Sequence, residues 1–314
     1  MRHIRLIPDD TNIKFMWLRR YTFTLSAALA VGSILLFLAL GLNLGIDFRG
    51  GTLIEVKTVD GPADIGAIRS RLGDLNLGDV EVQTFGAPDE VLIRVESQES
   101  GEEAEQAVVD RVKQSFGDEV EYRRVEVVGP RVSSELAQAG VIGVLAALFA
   151  ITIYIWFRFE WHFSVGAIIA TVHDVIITIG MFSLVQLEFN LSSIAAILTI
   201  VGYSLNDTVV VYDRVRENLR RYKKLDLPGL LDVSINQMLS RTVLTSLTTL
   251  IALFALYIFG GEVIRSFVFA MIFGIFIGTY SSIFIAAPVL IFLNLRSGKG
   301  RDSTETSGGE AKPA

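Results

Sequence analysis

The stretch NLSSIAAILTIVGYSLNDTVVVYDRVREN, residues 190–218, decides the fold of this chain. Its first two thirds are apolar and long enough to cross a hydrocarbon core of about 30 Å, and its end is rich in charged residues. Asn206, Asp207 and Thr208 nevertheless lie inside the apolar part, toward the charged end. The pattern predicts a transmembrane helix with a carboxyl group within the membrane.

Five further apolar stretches have the length of a transmembrane helix. Together with 191–211 they predict six spans, the others being 21–42, 136–157, 163–185, 242–259 and 267–295. The composition agrees, because 51% of the 314 residues are hydrophobic and the mean hydropathy is +0.49. The first stretch is longer than the apolar region of a signal peptide, and no A-x-A site follows it, which predicts an uncleaved span.

The charges predict the orientation of these spans. Basic residues cluster in the N-terminal segment 1–20, after the fourth span and after the last span, whereas the turn 186–190 carries Glu188. Because Lys and Arg are retained on the inner side, both termini are expected in the cytoplasm. The segment 43–135 is then expected outside, in the periplasm of a Gram-negative cell, and the tail 296–314 is expected to be disordered. We expect a multi-pass protein of the bacterial inner (plasma) membrane.

The segment 43–135 has the composition of a folded head domain. Apolar alternation predicts strands, and helical spacing predicts helices, in the order Thr52–Val59, Ala63–Leu75 (helix), Asp79–Phe85, Val91–Glu96, Glu102–Phe116 (helix) and Glu119–Val128. A turn is predicted at Gly86–Asp89. The order βαββαβ indicates a ferredoxin-like α+β domain between the first and second spans of an α-helical membrane protein.

Asp207 is the residue of the fourth span that needs an explanation. An ionised carboxylate there costs at least about 2.5 to 3.5 kcal/mol, so protonation, a cation or water must offset it. A carboxylate that reaches the interface from a helix end is the alternative, but a short Asp side chain reaches poorly. Arg241 begins the fifth span at the same membrane surface and is the expected partner. Pairing and separation of the two would change proton affinity, as a proton-coupled switch requires.

His173 and Asp174 lie near the centre of the third span. They are typical members of a membrane proton pathway, and a satisfied hydrogen bond between helices is the alternative. A metal site is not expected, because the chain has three His and no Cys. The absence of Cys also excludes disulfides and thiol chemistry.

Three other features of the sequence have two interpretations each. The fourth and fifth spans are rich in hydroxyl groups, which either bond their own helix carbonyls or line a wet seam. Gly274 and Gly278 permit close helix approach, although this spacing is common by chance. Residues 214–239 read as a basic amphipathic helix on the cytoplasmic face, for which attraction to anionic membrane lipid suffices.

The segment GIDFRGGT, 45–52, directly follows the first span. Its glycines, including Gly50 and Gly51, permit a tight turn into the head, and Asp47 with Arg49 is expected to clamp this junction. A phosphate loop would need GK[ST] and a following helix, both missing, so a nucleotide is not an expected ligand. Nucleic acid is not an expected partner either. The expected role is mechanical coupling of head and membrane.

Five motifs together resemble the SecF branch of the SecD/SecF family of protein-export membrane proteins, in the RND superfamily. They are GIDFRGGT (45–52), VGPRVSSEL (128–136), HDVIITIG (173–180), the stretch 190–218 and SRTVLTSLTT (240–249). The resemblance covers about residues 20–295. It implies that the family's membrane carboxylate and arginine correspond to Asp207 and Arg241, and the threonine one turn further on to Thr245.

The resemblance implies half of a transporter that works with SecD beside the SecYEG channel, often with YajC, on translocating preproteins. Its energy source would be the proton-motive force, without a cofactor, and the chain would be no enzyme. The expected proton-coupling residues are Asn206, Asp207, Thr245 and Arg241 with the His173–Asp174 pair. Two alternatives stay open: an RND-type half-transporter for lipid or small molecules, and a non-transporting assembly factor of the translocon.

Overall fold

The structure is a computed structural model that describes Pro8, residues 11–96, Gln98 and residues 102–261, 263–293 and 295. The tail predicted at 296–314 and part of the N-terminal segment 1–20 lie outside these described residues. The described part forms a helix bundle and a sheet domain, and the sheet domain lies between the first and second long helices.

The head domain follows the first long helix. After α1 (Arg19–Leu40) and the short α2 (Ile46–Arg49), the chain forms in order β1 (Gly51–Thr58), α3 (Ile65–Gly73), β2 (Val80–Phe85), β3 (Ala87–Val95), α4 (Glu102–Phe116) and β4 (Val120–Val128). The strand order in the sheet is β2-β3-β1-β4, and all neighbours are antiparallel. This is the topology of the predicted ferredoxin-like domain.

The two faces of the sheet differ in what covers them. Alternation along the strands places residues such as Ile54 and Ile93 on one face, where they are buried against Leu72 of α3 and Val112 of α4. The opposite face has a smaller apolar cluster of Leu53 and Leu92, which packs on Ile46 of α2. This second face is the one that meets the junction with the membrane helices.

The turn predicted at Gly86–Asp89 is shorter in the structure. Only Gly86, at φ +79°, separates β2 from β3, and Ala87 to Asp89 already belong to β3. The register shifts between Thr84 and Phe85, which accommodates the extra residues without ending the strand. A proline is tolerated there because Pro88 lies at the start of β3 beside the register shift, outside the residue pairs of both ladders, so its missing N–H breaks none of their hydrogen bonds.

Five more long helices follow the head. They are α5 (Pro130–Arg158), α6 (Trp161–Val185), α7 (Leu191–Arg221), α8 (Leu227–Phe259) and a sixth helix made of α9 (Arg265–Ser281), a π-turn (Ser282–Ala286) and α10 (Ala287–Phe292). With α1, the described chain has six helices long and apolar enough to span a membrane, as predicted. The first turns of α5 include residues 130–135, which the sequence assigned to the head.

The helices of the bundle divide into an interior and a periphery. Helices α6 and α7 and the sixth helix bury large parts of their surfaces, whereas α1, α5 and α8 are mostly uncovered by the chain. Among the described residues, exposed side chains such as Leu38 and Phe149 mark these uncovered faces. Lipid or another membrane protein must therefore cover them.

The prediction of one cytoplasmic amphipathic helix over 214–239 is wrong, because the structure divides this segment between α7 and α8. Asp226 is the N-cap of α8, and Pro228 stands in the first turn of the helix, where a residue without an N–H is tolerated. The buried Asn218 near the end of α7 ties the two helices together. Its amide donates to Ser234 Oγ and to Gln237 Oε1, each at 2.9 Å.

Candidate functional site

Helix α7 and the sixth helix run side by side in close contact through the bundle. Their contacts recur at four successive turns, which pair Gly274 with Ile200, Gly278 with Ser204, Ser282 with Thr208, and Ala286 with Tyr212. A Cβ on Gly278 would lie 2.9 Å from Ser204 Cβ, so the glycine is what allows this approach. The close approach predicted from the glycine spacing is therefore present, and it brings polar groups of both helices together.

Asp174 lies at the centre of this contact and is fully buried. Its Oδ2 accepts hydrogen bonds from Ser204 Oγ of α7 at 2.6 Å and from Ser281 Oγ of α9 at 2.7 Å. Its Oδ1 lies 2.9 Å from His173 Nδ1. Three hydrogen bonds from three helices thus satisfy one carboxyl group, and we call this arrangement the Asp174 centre.

A hydroxyl group extends the Asp174 centre toward α1. The His173 ring lies beside Tyr280, with ring centroids 6.4 Å apart. The Tyr280 hydroxyl in turn lies 2.8 Å from Ser26 Oγ and donates to the Thr22 carbonyl at 3.1 Å. His173 Nε2 is buried without a partner among the described residues, so this side of the centre can accept one more hydrogen-bonding group.

Asp207 lies just under one turn along α7 from Ser204 and has only 8% of its surface exposed. Its Oδ1 accepts a hydrogen bond from Thr242 Oγ1 of α8 at 2.7 Å. Its Oδ2 is buried and has no hydrogen-bond partner in the described chain. We call this second, incompletely bonded carboxyl group the Asp207 centre.

The expected partner of Asp207 does not touch it in this structure. Arg241 is exposed, and no ion pair within 4 Å joins it to Asp207, although both residues are described. Its neighbour Thr242 faces the carboxyl group instead. Asn206 and Thr245 are exposed as well, so they lie on the surface of the chain and not in the buried centre.

The hydroxyl groups of the fourth and fifth spans are of two kinds. Some bond carbonyls of their own helix, and others bond groups of a neighbouring helix. Thr248 and Thr249 donate hydrogen bonds to carbonyls of their own helix, each four residues earlier in the chain. Ser204, Thr208 and Thr242 instead form hydrogen bonds between helices. Because the helical rotation of each residue decides which kind it is, the sequence could not separate them.

Three functional candidates of the sixth helix escaped the sequence reasoning. Tyr280, Ser281 and Ser282 form a polar run in an otherwise apolar span, and all three bond to other helices. The π-turn begins at Ser282, and such turns are frequent at functional sites. The feature of the sequence that indicates them is this run of three polar residues, 280–282, shortly before Pro288 in an apolar span.

The junction predicted at Asp47–Gly51 connects to α7. Gly50 and Gly51 have φ values of +74° and +110°, which favour glycine. Asp47 Oδ2 accepts a hydrogen bond from Leu191 N, the first residue of α7, at 2.9 Å. Arg49 is exposed, and no ion pair within 4 Å joins it to Asp47. Asp47 thus holds the first residue of the helix that carries Asp207, next to the N-cap Asn190.

Metal ligands do not gather within the described residues, where no three His, Asp or Glu side chains come together. The side chains at the two centres carry carboxyl, imidazole and hydroxyl groups. These groups bind and release protons and exchange hydrogen bonds.

Two family profiles match the chain. The profile described as Protein export membrane protein SecD/SecF, C-terminal, matches residues 108–296, and the profile SecD/SecF GG Motif matches residues 35–60. The protein translocase subunit SecF of Cereibacter sphaeroides is 43% identical over 96% of this chain and 95% of its own length. The chain belongs to the SecD/SecF family. Its likeness to SecF over nearly the whole of both chains makes it a SecF-type member, as the motifs indicated.

Longer members of the SecD/SecF family contain the same unit. The SecDF subunit of Brucella abortus is 47% identical over 100% of this chain, which spans 40% of that protein. The crystal structure of SecDF, a translocon-associated membrane protein from Thermus thermophilus, superposes with a TM-score of 0.82 at 37% identity. The superposition covers 93% of this chain and 40% of the Thermus thermophilus chain. This SecD/SecF-family chain is thus a multi-pass membrane protein and a component of protein transport.

Proposed function

We propose that the chain uses the proton-motive force, together with SecD, to promote preprotein export through SecYEG. In this proposal Asp207 binds and releases the proton, and Arg241 approaches Asp207 in another step of the cycle. The observation that supports it best is the Asp207 centre itself. A carboxyl group is held between α7 and α8 with one oxygen bonded and the other without a partner.

The surroundings of Asp207 favour a change of charge. An ionised carboxylate at this depth costs at least about 2.5 to 3.5 kcal/mol unless a cation or water offsets it. Protonation removes that cost, and the nearby Arg241 offers a cation only if its exposed side chain moves inward. Proton release is then coupled to a movement of α8 relative to α7.

The Asp174 centre fits the role of a relay between the two sides of the bundle. Its hydrogen bonds connect α6 with α7 and α9, and Tyr280 extends the polar region to α1. Ser204 belongs to this centre, and Asp207 is less than one turn further along the same helix. A proton released at one centre thus changes hydrogen bonding close to the other.

Helix α7 provides the mechanical connection to the head. Asp47 holds its first residue, Leu191, and Asp207 lies 16 positions further along, about 24 Å at the rise of an α-helix. A shift of α7 driven at Asp207 is therefore transmitted to the junction beneath the head. We infer that the head moves with it and acts on the preprotein outside the membrane.

The partners follow from the same proposal. SecDF relatives carry this unit in a chain of which it spans 40%, which supports SecD as the partner that covers the exposed faces of α1, α5 and α8. Asn206, Arg241 and Thr245 are exposed, where a second protein can complete the proton path. SecYEG and YajC are proposed as neighbours in the bacterial inner membrane, with both termini of the chain in the cytoplasm.

The available energy sets the number of cycles. A membrane potential supplies about 2.3 kcal/mol per charge per 100 mV. The energy from one proton is small compared with the work of moving a whole polypeptide. Export of one preprotein would therefore need several proton cycles.

Export into inverted membrane vesicles tests the proposal. After ATP is exhausted, wild-type vesicles are expected to continue moving the preprotein only while the proton gradient is present. Vesicles with Asp207→Asn should move it no better than vesicles whose gradient is collapsed. Asp213→Asn is the matched control, because Asp213 lies on the same helix but at the surface, paired with Arg158.

Gradient-dependent export of equal size in Asp207→Asn and wild type would contradict the proposal. Export that never depends on the gradient, with normal assembly of the channel, would indicate a non-transporting assembly factor. Both variants should insert into the membrane to the same extent as wild type, which is measured on the same vesicles.

A further inference from the structure

The first turns of α1 border a groove on the surface of the described chain. Its volume is about 530 Å³, and its described lining consists of Met16, Trp17, Arg19, Arg20, Tyr21 and Thr24. Trp17 ends the short 3₁₀ turn that leads into α1, and Tyr21 and Thr24 stand four and seven positions after it, on one side of the helix. The groove therefore brings two aromatic rings and two guanidinium groups together.

The backbone beside the groove is fixed by the tertiary structure. Met16 is buried, and its N–H donates to Asp232 Oδ1 of α8 at 2.8 Å. Phe15 is buried as well. Asn236 of α8 accepts from the N–H of Ile13 at 3.0 Å and donates to its carbonyl at 2.8 Å. The groove is thus part of the fold and not a loose helix end.

The two cations of the groove are uncompensated within the described chain. Arg19 is half-buried and Arg20 is exposed, and no ion pair within 4 Å joins either of them to another described residue. The first turn of α1 contains no acid, and no acidic side chain is among the described lining residues. The charges therefore favour an anion as the ligand, and the planar guanidinium group is suited to a phosphate.

The groove continues into an apolar ridge along α1. Leu25, Ala28 and Leu35 follow Tyr21 at four, seven and 14 positions, on the same side of the helix, and all three are exposed. The rise from Leu25 to Leu35 is about 15 Å, half of a hydrocarbon core of about 30 Å. A charged groove next to an apolar ridge as long as one leaflet matches the headgroup and the acyl chain of a phospholipid. The exposed Trp17 and Tyr21 are residue types that favour the level of the headgroups.

We propose that this groove binds one anionic phospholipid, with its phosphate at Arg19 and Arg20 and an acyl chain along the ridge of α1. The inference does not depend on the proposed function. A zwitterionic lipid fits less well, because its ammonium group would meet two cations and no described acid. Protein fits less well than lipid, because a partner would have to supply acids for both guanidinium groups. SecD can still cover the other exposed surfaces of the bundle.

Tryptophan fluorescence of the full chain in vesicles tests the groove. The chain has three Trp, and Trp156→Phe with Trp161→Phe leaves Trp17 as the only one. The vesicles contain phosphatidylcholine and phosphatidylglycerol, and either lipid carries bromine on its acyl chains close to the headgroup. Bromine quenches a Trp only at short range. We expect a preference of at least about fivefold for quenching by phosphatidylglycerol over phosphatidylcholine, the contribution of one Arg near an anionic lipid.

Two double variants in this background separate the groove from general surface charge. Arg19→Gln with Arg20→Gln removes both cations and should bring the preference close to one. Unchanged quenching by brominated phosphatidylcholine shows that this variant is inserted like the parent chain.

Lys223→Gln with Lys224→Gln is the matched control, because it removes the same charge outside the described lining. Both Lys are exposed and directly precede α8, whose first three turns hold the segment before α1, so they lie at the same end of the bundle. The control should keep the preference of the parent chain.

Equal quenching of the parent chain by the two brominated lipids would overturn the proposal. A preference that survives Arg19→Gln with Arg20→Gln would overturn it too, and an equal loss in the Lys223→Gln with Lys224→Gln control would indicate attraction to surface charge only. The measurement is repeated on the chain assembled with a Trp-free SecD. Loss of quenching there would mean that protein, and not lipid, fills the groove.

Discussion

Asp174 and Asp207 are two buried carboxyl groups of one helix bundle, but their surroundings differ in completeness. Asp174 is bonded at both oxygens by His173, Ser204 and Ser281. Asp207 is bonded at one oxygen by Thr242, and the other oxygen has no described partner. The first carboxyl group is satisfied by residues of the chain, and the second is left ready for a proton, a water molecule or a cation.

The difference indicates a division of labour. A fully bonded buried group holds its neighbours in place, because removing it leaves several donors unsatisfied. An incompletely bonded buried acid contributes little to stability, and a change in its protonation disturbs fewer hydrogen bonds of the fold. In the proposed function Asp174 is thus the fixed relay that holds three helices together, whereas Asp207 is the acid whose change of protonation moves α8 relative to α7.

Replacement of each acid by Ala should show the difference between Asp174 and Asp207 most clearly. Asp174→Ala removes the acceptor of three hydrogen bonds and is expected to lower the free energy of unfolding by about 2 to 4 kcal/mol. Asp207→Ala removes one such bond and should cost about 0.6 kcal/mol, the average for membrane helices. Thermal unfolding in lipid nanodiscs measures both. Equal losses in the two variants would show that the division is wrong.

Gly278→Ala tests whether the Asp174 centre depends on the close contact of α7 and α9. The added Cβ meets Ser204 Cβ at 2.9 Å and its Cα at 3.3 Å, so the helices must separate. We expect a loss of about 1 to 3 kcal/mol in the same unfolding assay. Gly202→Ala, on α7 with open space around it, is the control and should be neutral or stabilising by up to about 1 kcal/mol. A neutral Gly278→Ala would mean that the contact is loose.

Two matched hydroxyl deletions give the smallest and most specific effects. Ser281→Ala and Thr242→Val each remove one hydrogen bond to a carboxyl group, and each should cost about 0.6 kcal/mol of stability. Their effects on export should differ, because Thr242 donates directly to the Asp207 carboxyl group while Ser281 shares Asp174 with two others. Gradient-dependent export is expected to change in Thr242→Val and to remain near wild type in Ser281→Ala. The reverse result would assign the titrating role to Asp174.

The head domain shows what local patterns can predict. Apolar alternation in 52–59 and helical spacing in 102–116 led to the strands and helices that the structure contains, because each depends on nearest neighbours along the chain. The turn at Gly86–Asp89 failed because a register shift, which is a property of two paired strands, decides where β3 begins. The single helix predicted over 214–239 is wrong because α7 ends at Arg221 and α8 begins at Leu227, with Pro228 in the first turn of α8.

The candidate site was predictable only in part. Asp207, His173 and Asp174 stand out in any sequence because polar residues within apolar spans are rare. The sequence placed Arg241 beside Asp207, but a one-residue step around the helix turns Thr242 toward the carboxyl group and Arg241 to the surface. Ser281 was unremarkable until the structure put it 2.7 Å from Asp174.

The sequence by itself determined the six spans, the head between the first two, and the presence of ionisable groups in the membrane. These follow from hydrophobicity and turn chemistry, which act over a few residues. Only the tertiary structure decided which hydroxyl meets which acid and that the segment before α1 is held by Asp232 of α8. Such contacts depend on the rotation and depth of each helix, and packing between distant segments, such as Gly278 on Ser204, sets both.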